Sequence, residues 1–240
     1  MNTTNNEQLT EALIDVRRAF RLLHQYQKHV LSLIRFIQGE VQCYNQGEVQ
    51  RYNYCRGRRH FISPIGLKKG GDGYANLDVR WDMWGWDYLY GYLYEYYFDA
   101  MESDEYRIWM SIIQVSDDGR FRSEAKGLTN LEAFASEEKS SSYLILNVSI
   151  SPKGKSSLWL KDPEVEAEQK EEQYLHNFIA SENRHKCVKD KKEGRISIQL
   201  KISLCDLGSP EEVKTQLRRF AQLVKQESGV HILKDEYYNN

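Results

Sequence analysis

The first part of the chain carries an apolar repeat with helical spacing. Steps of four and three residues alternate between its members: Leu9, Leu13, Val16, Phe20, Leu23, Gln27, Val30, Ile34 and Ile37. This coiled-coil spacing predicts a helix from about Glu7 to Gln38, capped by Asn5 or Asn6 and ended by a left-handed Gly39. At ~1.5 Å per residue the helix is about 45 Å long, more than a small domain is wide. We therefore expect part of the seam to meet another chain.

Later segments alternate apolar and polar residues, which is typical of strands. Tyr143–Ser151 and Arg195–Cys205 each place one apolar set inward, so one face of the sheet is expected to be wet, as in antiparallel sheets. Asp162-Pro163 predicts a helix that runs to about Ala180. A capping box at Ser209–Glu212 predicts another that stops near Gly229. The charged residues Lys186–Glu193 are interpreted as a linker.

The most aromatic stretch is Trp81–Phe98. As a helix it would carry a thin polar stripe, but tyrosine and tryptophan favour strands, and two glycines disfavour a helix. We predict a strand over Asp87–Phe98 that pairs with Glu105–Ser116, followed by a hairpin turn at Ser116–Gly119. Leu89, Leu93 and Tyr97 are expected in the core. The other face, which includes Tyr90, Tyr92 and Tyr94, is either covered by the N-terminal helix or forms a partner-binding patch.

These elements predict an α+β fold, with a mostly antiparallel sheet, helices on one side and a long N-terminal helix. Residues 1–40 form that helix, and residues 41–240 form an α+β domain packed with it, as a single domain overall.

The net charge of −2 conceals two oppositely charged segments. Arg17–Lys69 contains 11 lysines and arginines against 2 acids, whereas Asp72–Glu138 contains 5 against 15. The cations at regular or clustered positions are Arg17, Arg21, Lys28, Arg35, Arg56, Arg58 and Arg59. Such a surface suits nucleic acid or an acidic protein, although the cations could instead pair with the chain's own acidic segment.

One constellation points to an enzyme. Asp117 and Asp118 are followed by Glu124 and Lys126, and carboxylates with a nearby lysine can hold Mg²⁺ and activate water in nucleases. The surrounding segment is polar, whereas such groups normally lie on an apolar strand. His176, His185 and Cys187 lack a fourth ligand at a suitable spacing, so no metal or other cofactor is expected.

Composition indicates a cytoplasmic protein that does not enter a membrane. The four cysteines lie far apart, no apolar run reaches roughly 18 residues, and the first residues lack the pattern of a secretory signal. Trp84-x-Trp86-Asp87 with Ser116–Gly119 is similar to stretches of uncharacterised bacterial proteins associated with mobile elements, which names no family.

We expect a non-catalytic binding subunit of a larger complex, with a protein partner on the N-terminal helix. The predicted partner interface comprises Phe20, Leu23, Val30, Tyr90, Tyr92 and Tyr94. The alternatives are a metal-dependent nuclease and a nucleic-acid-binding regulator, including a mobile-element or phage-defence accessory protein.

Overall fold

The computed structural model describes residues 3–45, 48–51, 55–59, 93–98, 100–102, 105–122, 134–153, 174–190, 194–234 and 237–238. The chain divides into two compact units, Met1–Glu40 and Val41–Asn240. No helix in these ranges is both long and apolar enough to cross a lipid bilayer.

The first unit is one continuous helix, α1, over Thr3–Glu40. The predicted helix is confirmed and is longer at both ends. Asn5 and Asn6 lie inside it instead of capping it, and Gly39 is helical instead of left-handed. A glycine adopts a right-handed helical conformation as well as a left-handed one, so its presence alone did not determine where the helix ends.

The described residues of the second unit form nine strands. A two-stranded antiparallel sheet pairs β1 (Gln42–Asn45) with β2 (Glu48–Arg51). The larger sheet is antiparallel throughout its described pairings and is ordered β3-β4-β6-β7-β9-β8, with the short β5 beside β6. Its strands are β3 (Cys55–Arg59), β4 (Leu93–Phe98), β5 (Met101–Glu102), β6 (Tyr106–Val115), β7 (Tyr143–Pro152), β8 (His185–Asp190) and β9 (Arg195–Ser203).

The predicted strands are confirmed wherever the structure describes them. The β4–β6 pairing is the expected one, although residues 87–92 lie outside the described ranges. The linker prediction for Lys186–Glu193 is wrong at residues 186–190, which form most of β8. That strand lies at one end of the described sheet, where charged side chains are common because they discourage pairing with other chains.

Helices complete the second unit. A single turn, α2, spans Gly119–Arg122, and the helical residues 174–180 form α3, which ends at the predicted position. The last helix, α4 (Pro210–Ser228), is confirmed with both of its predicted ends. The Ser209 side chain accepts a hydrogen bond from the Glu212 amide at 3.3 Å, and Gly229 adopts a left-handed conformation with φ of 75°.

The α+β class is confirmed, but the helices differ from expectation in lying on both faces of the sheet. One face carries α3 in an apolar cluster of Leu93, Ile113, Val115, Ile145, Leu175, Phe178 and Ile179. The other face meets α4, because Glu227 of that helix bonds Cys187 and Lys189, which alternate onto the opposite side of the strands.

The expectation of a wet sheet face is wrong in the described strands. Glu95, Ser111 and Asn147 are buried on the α3 side. Ser111 is the ladder partner of both Tyr97 and Asn147, and Glu95 lies two residues from Tyr97 on the same face of β4. The hydroxyls of Tyr97 and Ser111 donate to the Glu95 carboxylate, and Asn147 Nδ2 donates to Ser111 Oγ at 3.0 Å. We call Glu95, Ser111 and Asn147 the polar row. Most of its polar atoms find partners within the sheet, whereas Asn147 Oδ1 is buried without a hydrogen-bond partner among the described residues.

Candidate partner-binding surface

The seam of α1 is divided into two parts by its exposure to solvent. Its first five members are exposed, and we call them the exposed seam: Leu9, Leu13, Val16, Phe20 and Leu23. Leu22 is 68% exposed but is not a member of the seam. Farther along the same repeat, Val30, Ile34 and Ile37 are buried. A helix therefore presents large apolar side chains at coiled-coil spacing over its first half only.

Two of the three helix residues predicted for the partner interface lie on this surface. Phe20 is 57% exposed and Leu23 is 50% exposed, so both side chains are free to be covered by a partner. Val30 is buried, and its place in a partner interface stays a prediction. The same spacing continues along the helix, so the sequence alone could not show which seam side chains are exposed to solvent.

A row of cations follows one side of the exposed seam. Arg17, Arg21, Lys28 and Arg35 are all exposed, and their spacing of four and seven residues places them on one flank of α1. We call these four residues the basic edge. None of them forms an ion pair with a described residue, whereas Arg18, on another side of the helix, bonds Asp15 at 3.0 Å.

The second predicted basic cluster belongs to the sheet. Arg56, Arg58 and Arg59 lie in β3, in the second unit. The β3–β4 register pairs them with Tyr97, Glu95 and Tyr94, respectively. Arg58 is therefore across the ladder from the buried carboxylate of the polar row. The role of these three arginines stays a prediction.

The predicted tyrosine patch is only partly described. Tyr90 and Tyr92 lie outside the described residues. Tyr94 is half-buried, with its ring 4.8 Å from that of Tyr96, and Tyr96 is buried and donates to Gln114 Oε1 at 2.9 Å. The exposed-patch interpretation therefore does not hold for Tyr96. Leu93 lies in the core as expected, but Tyr97 is only half-buried.

The carboxylates of the nuclease alternative include one with a full set of hydrogen-bond donors. Asp118 is fully buried and accepts from the Ser141 amide at 2.8 Å, from Arg122 Nε at 2.7 Å and from the Tyr143 hydroxyl at 2.8 Å. The bond to Asp118 raises the pKa of Arg122 above its ordinary value. Glu124 and Lys126 lie outside the described residues.

Asp117 has a local role at the start of α2. Its Oδ1 accepts a hydrogen bond from the Gly119 amide at 2.7 Å. The chain then forms α2, and β7 begins only at Tyr143, which pairs with Val115. The predicted hairpin turn at Ser116–Gly119 is therefore wrong, because the two strands are joined by a long connection.

Lys201 is a buried cation that sequence reasoning missed. Its Nζ donates to three carbonyl oxygens at the end of α3: Phe178 at 3.0 Å, Ile179 at 3.0 Å and Ser181 at 2.7 Å. Burial lowers the pKa of Lys201, and the nearby Asp118 carboxylate opposes that shift. The lysine fixes the end of α3 on the sheet, because the last carbonyls of a helix lack partners within it. In the sequence Lys201 is one of the polar residues that alternate with apolar ones along β9, so its burial could not be predicted.

The residues considered for a metal are separated by other contacts. His176 packs its ring 5.0 Å from that of Phe121, His185 is exposed at the start of β8, and Cys187 donates to Glu227 Oε2 at 3.5 Å. Within the described ranges no three such side chains converge as metal ligands.

The family assignment comes from comparison with known proteins. A family model described as PM0109 matches residues 6–229. The chain belongs to the PM0109 family. The PM0109 match runs from α1 to the end of α4, so the exposed seam and the sheet are parts of the same family sequence. No curated protein and no solved structure matches the chain.

Proposed function

We propose that this PM0109 protein is a non-catalytic subunit that assembles into a larger complex through the exposed seam of α1. One observation supports the proposal above the others. Five large apolar side chains are exposed at coiled-coil spacing, in a helix whose later seam residues are buried. Contiguous exposed apolar surface of this kind marks interaction sites in soluble proteins.

The free energy gained by burying the exposed seam is large enough for binding. Fully burying one leucine or phenylalanine side chain is worth about 1.5–3 kcal/mol. The exposed seam offers five large apolar side chains, each at least 47% exposed, although ordering and association costs offset much of the gain. Micromolar or tighter binding needs roughly 8 kcal/mol net, which is within reach of such a surface.

Phe20→Asp tests the proposal, because a carboxylate in the middle of a buried seam is strongly unfavourable. The matched control is Gln25→Asp, which places the same carboxylate at an exposed position on the other side of α1. Both variants are expressed in the native cell, and the size of the native complex is measured by gel filtration of gently lysed cells. We expect wild type and Gln25→Asp to elute within a complex, and Phe20→Asp to elute as a monomer. Elution of all three as monomers contradicts the proposal.

The absence of catalysis is part of the proposal and has its own test. The three donors to Asp118 support a structural role, since they use the oxygens that a metal would need. We expect Glu124→Ala and Lys126→Ala to leave cellular function unchanged. Loss of function in both variants, with unchanged circular dichroism, would favour the nuclease.

A nucleic-acid-binding role is the second candidate, and the exposed basic edge, which forms no ion pair with a described residue, favours it. Binding driven by phosphate contacts falls steeply with salt: six contacts cost about a thousandfold between 50 and 200 mM. The absence of binding to labelled DNA or RNA at low salt contradicts this candidate.

We place the protein in the cytoplasm, with support from the spacing of its four cysteines.

A further inference from the structure

We infer that the partner at the exposed seam is an amphipathic helix that carries acidic residues along the edge facing Arg17 and His24. This inference rests on the proposed function, because it describes the occupant of the same surface. It depends on which residues border the exposed seam on each side.

The heptad positions follow from the spacing of the seam. Leu13 and Phe20 take position a, while Leu9, Val16 and Leu23 take position d. On one border, position e is occupied by Arg17 and His24, both exposed. On the other border, position g is occupied by Ala12 and Ala19. Arg21 and Lys28, at position b, continue the positive charge behind position e.

A second copy of the chain fits this arrangement poorly. In a parallel pair, position e of one helix meets position g of the other, so Arg17 and His24 would meet alanines. In an antiparallel pair, position e meets position e, so Arg17 and His24 would face one another without a carboxylate between them. Asp15 is already bonded to Arg18 at 3.0 Å. Self-association therefore leaves the cations beside the seam without acidic partners.

An acidic amphipathic helix complements both the exposed seam and the basic residues beside it. Its apolar side chains cover the exposed seam, and its carboxylates reach His24 and the exposed Arg17, which forms no ion pair with a described residue. Charges at positions e and g set partner choice more than they set affinity. Each pair is weak on its own, so the preference is expected to come from several attractive contacts together with repulsion of basic helices.

Two synthetic helical peptides test the inference on the full-length protein. Both carry leucine at positions a and d, and they differ only in having glutamate or lysine at every e and g, which covers either orientation. Binding is measured by fluorescence anisotropy at low salt. We expect the glutamate peptide to bind at least tenfold more tightly, with a smaller difference at high salt. The double variant Arg17→Glu with His24→Glu should reverse the preference.

Arg18→Glu is the matched control, because it makes the same charge change as Arg17→Glu on a different side of α1. It should leave the peptide preference unchanged. Equal binding of both peptides, or an unchanged preference in the double variant, overturns the inference.

Other occupants give distinct results. If light scattering shows a dimer that Phe20→Asp dissociates, assembly through the seam holds and the acidic-helix inference fails. If polyanions bind the basic edge and Phe20→Asp leaves that binding intact, the edge serves nucleic acid and the inference also fails. Failure to bind either peptide overturns the inference alone, since the proposed function is judged by the native complex.

Discussion

At the scale of single residues, Asp118 shows how a catalytic-looking carboxylate can have a structural role. Asp118→Asn preserves its shape but weakens the bonds from Arg122 and Tyr143, which both donate to Oδ2. Hydrogen bonds to charged groups contribute about 1.5–3 kcal/mol each. We expect the free energy of unfolding, measured by urea titration, to fall by about 2 kcal/mol.

Asp117→Asn serves as the comparison, because Asp117 is half-buried and its Oδ1 accepts a hydrogen bond from the Gly119 amide at 2.7 Å. Its loss should be below about 1 kcal/mol. The opposite pattern would argue for a metal site: Asp118→Asn as stable as wild type, together with a Mg²⁺-dependent rise in Tm that only wild type shows.

Lys201 allows a prediction with a pH dependence. Lys201→Met leaves the carbonyls of Phe178, Ile179 and Ser181 without their donor, so we expect a loss of about 1–3 kcal/mol. Burial lowers the pKa of Lys201 from its ordinary 10.5. Between the lowered value and 10.5, the unfolded chain binds more protons than the folded one, so this group's contribution to stability rises with pH. The advantage of wild type over Lys201→Met should therefore grow as the pH approaches 10.5.

Lys139→Met is the control for that pH series, since Lys139 is exposed. Its difference from wild type should stay small and constant with pH. A wild-type advantage over Lys201→Met that shrinks as the pH rises would show that the three carbonyls hold the charged form more strongly than burial disfavours it.

At the scale of elements, residue types and their spacing predicted the helices and strands correctly where they determine the backbone conformation directly. The ends of α4 follow from the Ser209 cap and the left-handed Gly229, and both were read from residue type. The alternation in β7 and β9 identified the strands because apolar residues recur every second position. The seam identified α1 for the equivalent reason with a helical period.

Prediction from the sequence failed where a polar residue can have either of two roles, contact with water or a hydrogen bond inside the protein. Ser111, Asn147 and Lys201 are polar at alternating positions, which predicts contact with water, yet they are buried with protein partners. Three of residues 186–190 are charged, and β8 lies at an end of the described sheet, where a charged strand has the same local composition as a linker. The apolar repeat of α1 has the same spacing where its side chains are exposed and where they are buried, so the exposed part of the seam could not be predicted from the sequence.

The two parts of that seam give an element-scale prediction. Ile34→Asp introduces a charge where the side chain is buried, so the free energy of unfolding should fall by more than about 3 kcal/mol. Leu13→Asp makes a comparable change at an exposed position of the same repeat and should alter stability by less than about 0.5 kcal/mol. Chemical denaturation of both variants provides the measurement. Equal losses would show that the exposed seam also contributes to the folded core.

At the scale of the whole molecule, the backbone register places strands of the two oppositely charged sequence segments side by side in the sheet. Arg58 comes from the basic segment and Glu95 from the acidic one, and they are partners in the β3–β4 ladder. Opposite charges across an antiparallel ladder are favourable, and like charges are unfavourable. We therefore predict that folding accounts for part of the charge asymmetry, whereas the cations of the basic edge form no ion pair with a described residue.

Arg58→Glu tests this division of roles. It pairs a carboxylate with the buried Glu95, so we expect a clear fall in Tm. Arg59→Glu is the matched control, because its ladder partner is Tyr94, and it should lower Tm much less. Combining Arg58→Glu with Glu95→Arg should recover part of the loss, since the swap restores opposite charges. Labelled DNA and RNA are titrated in parallel at low salt. Unchanged Tm in Arg58→Glu with weaker nucleic-acid binding would instead place Arg58 on a nucleic-acid surface and refute internal pairing.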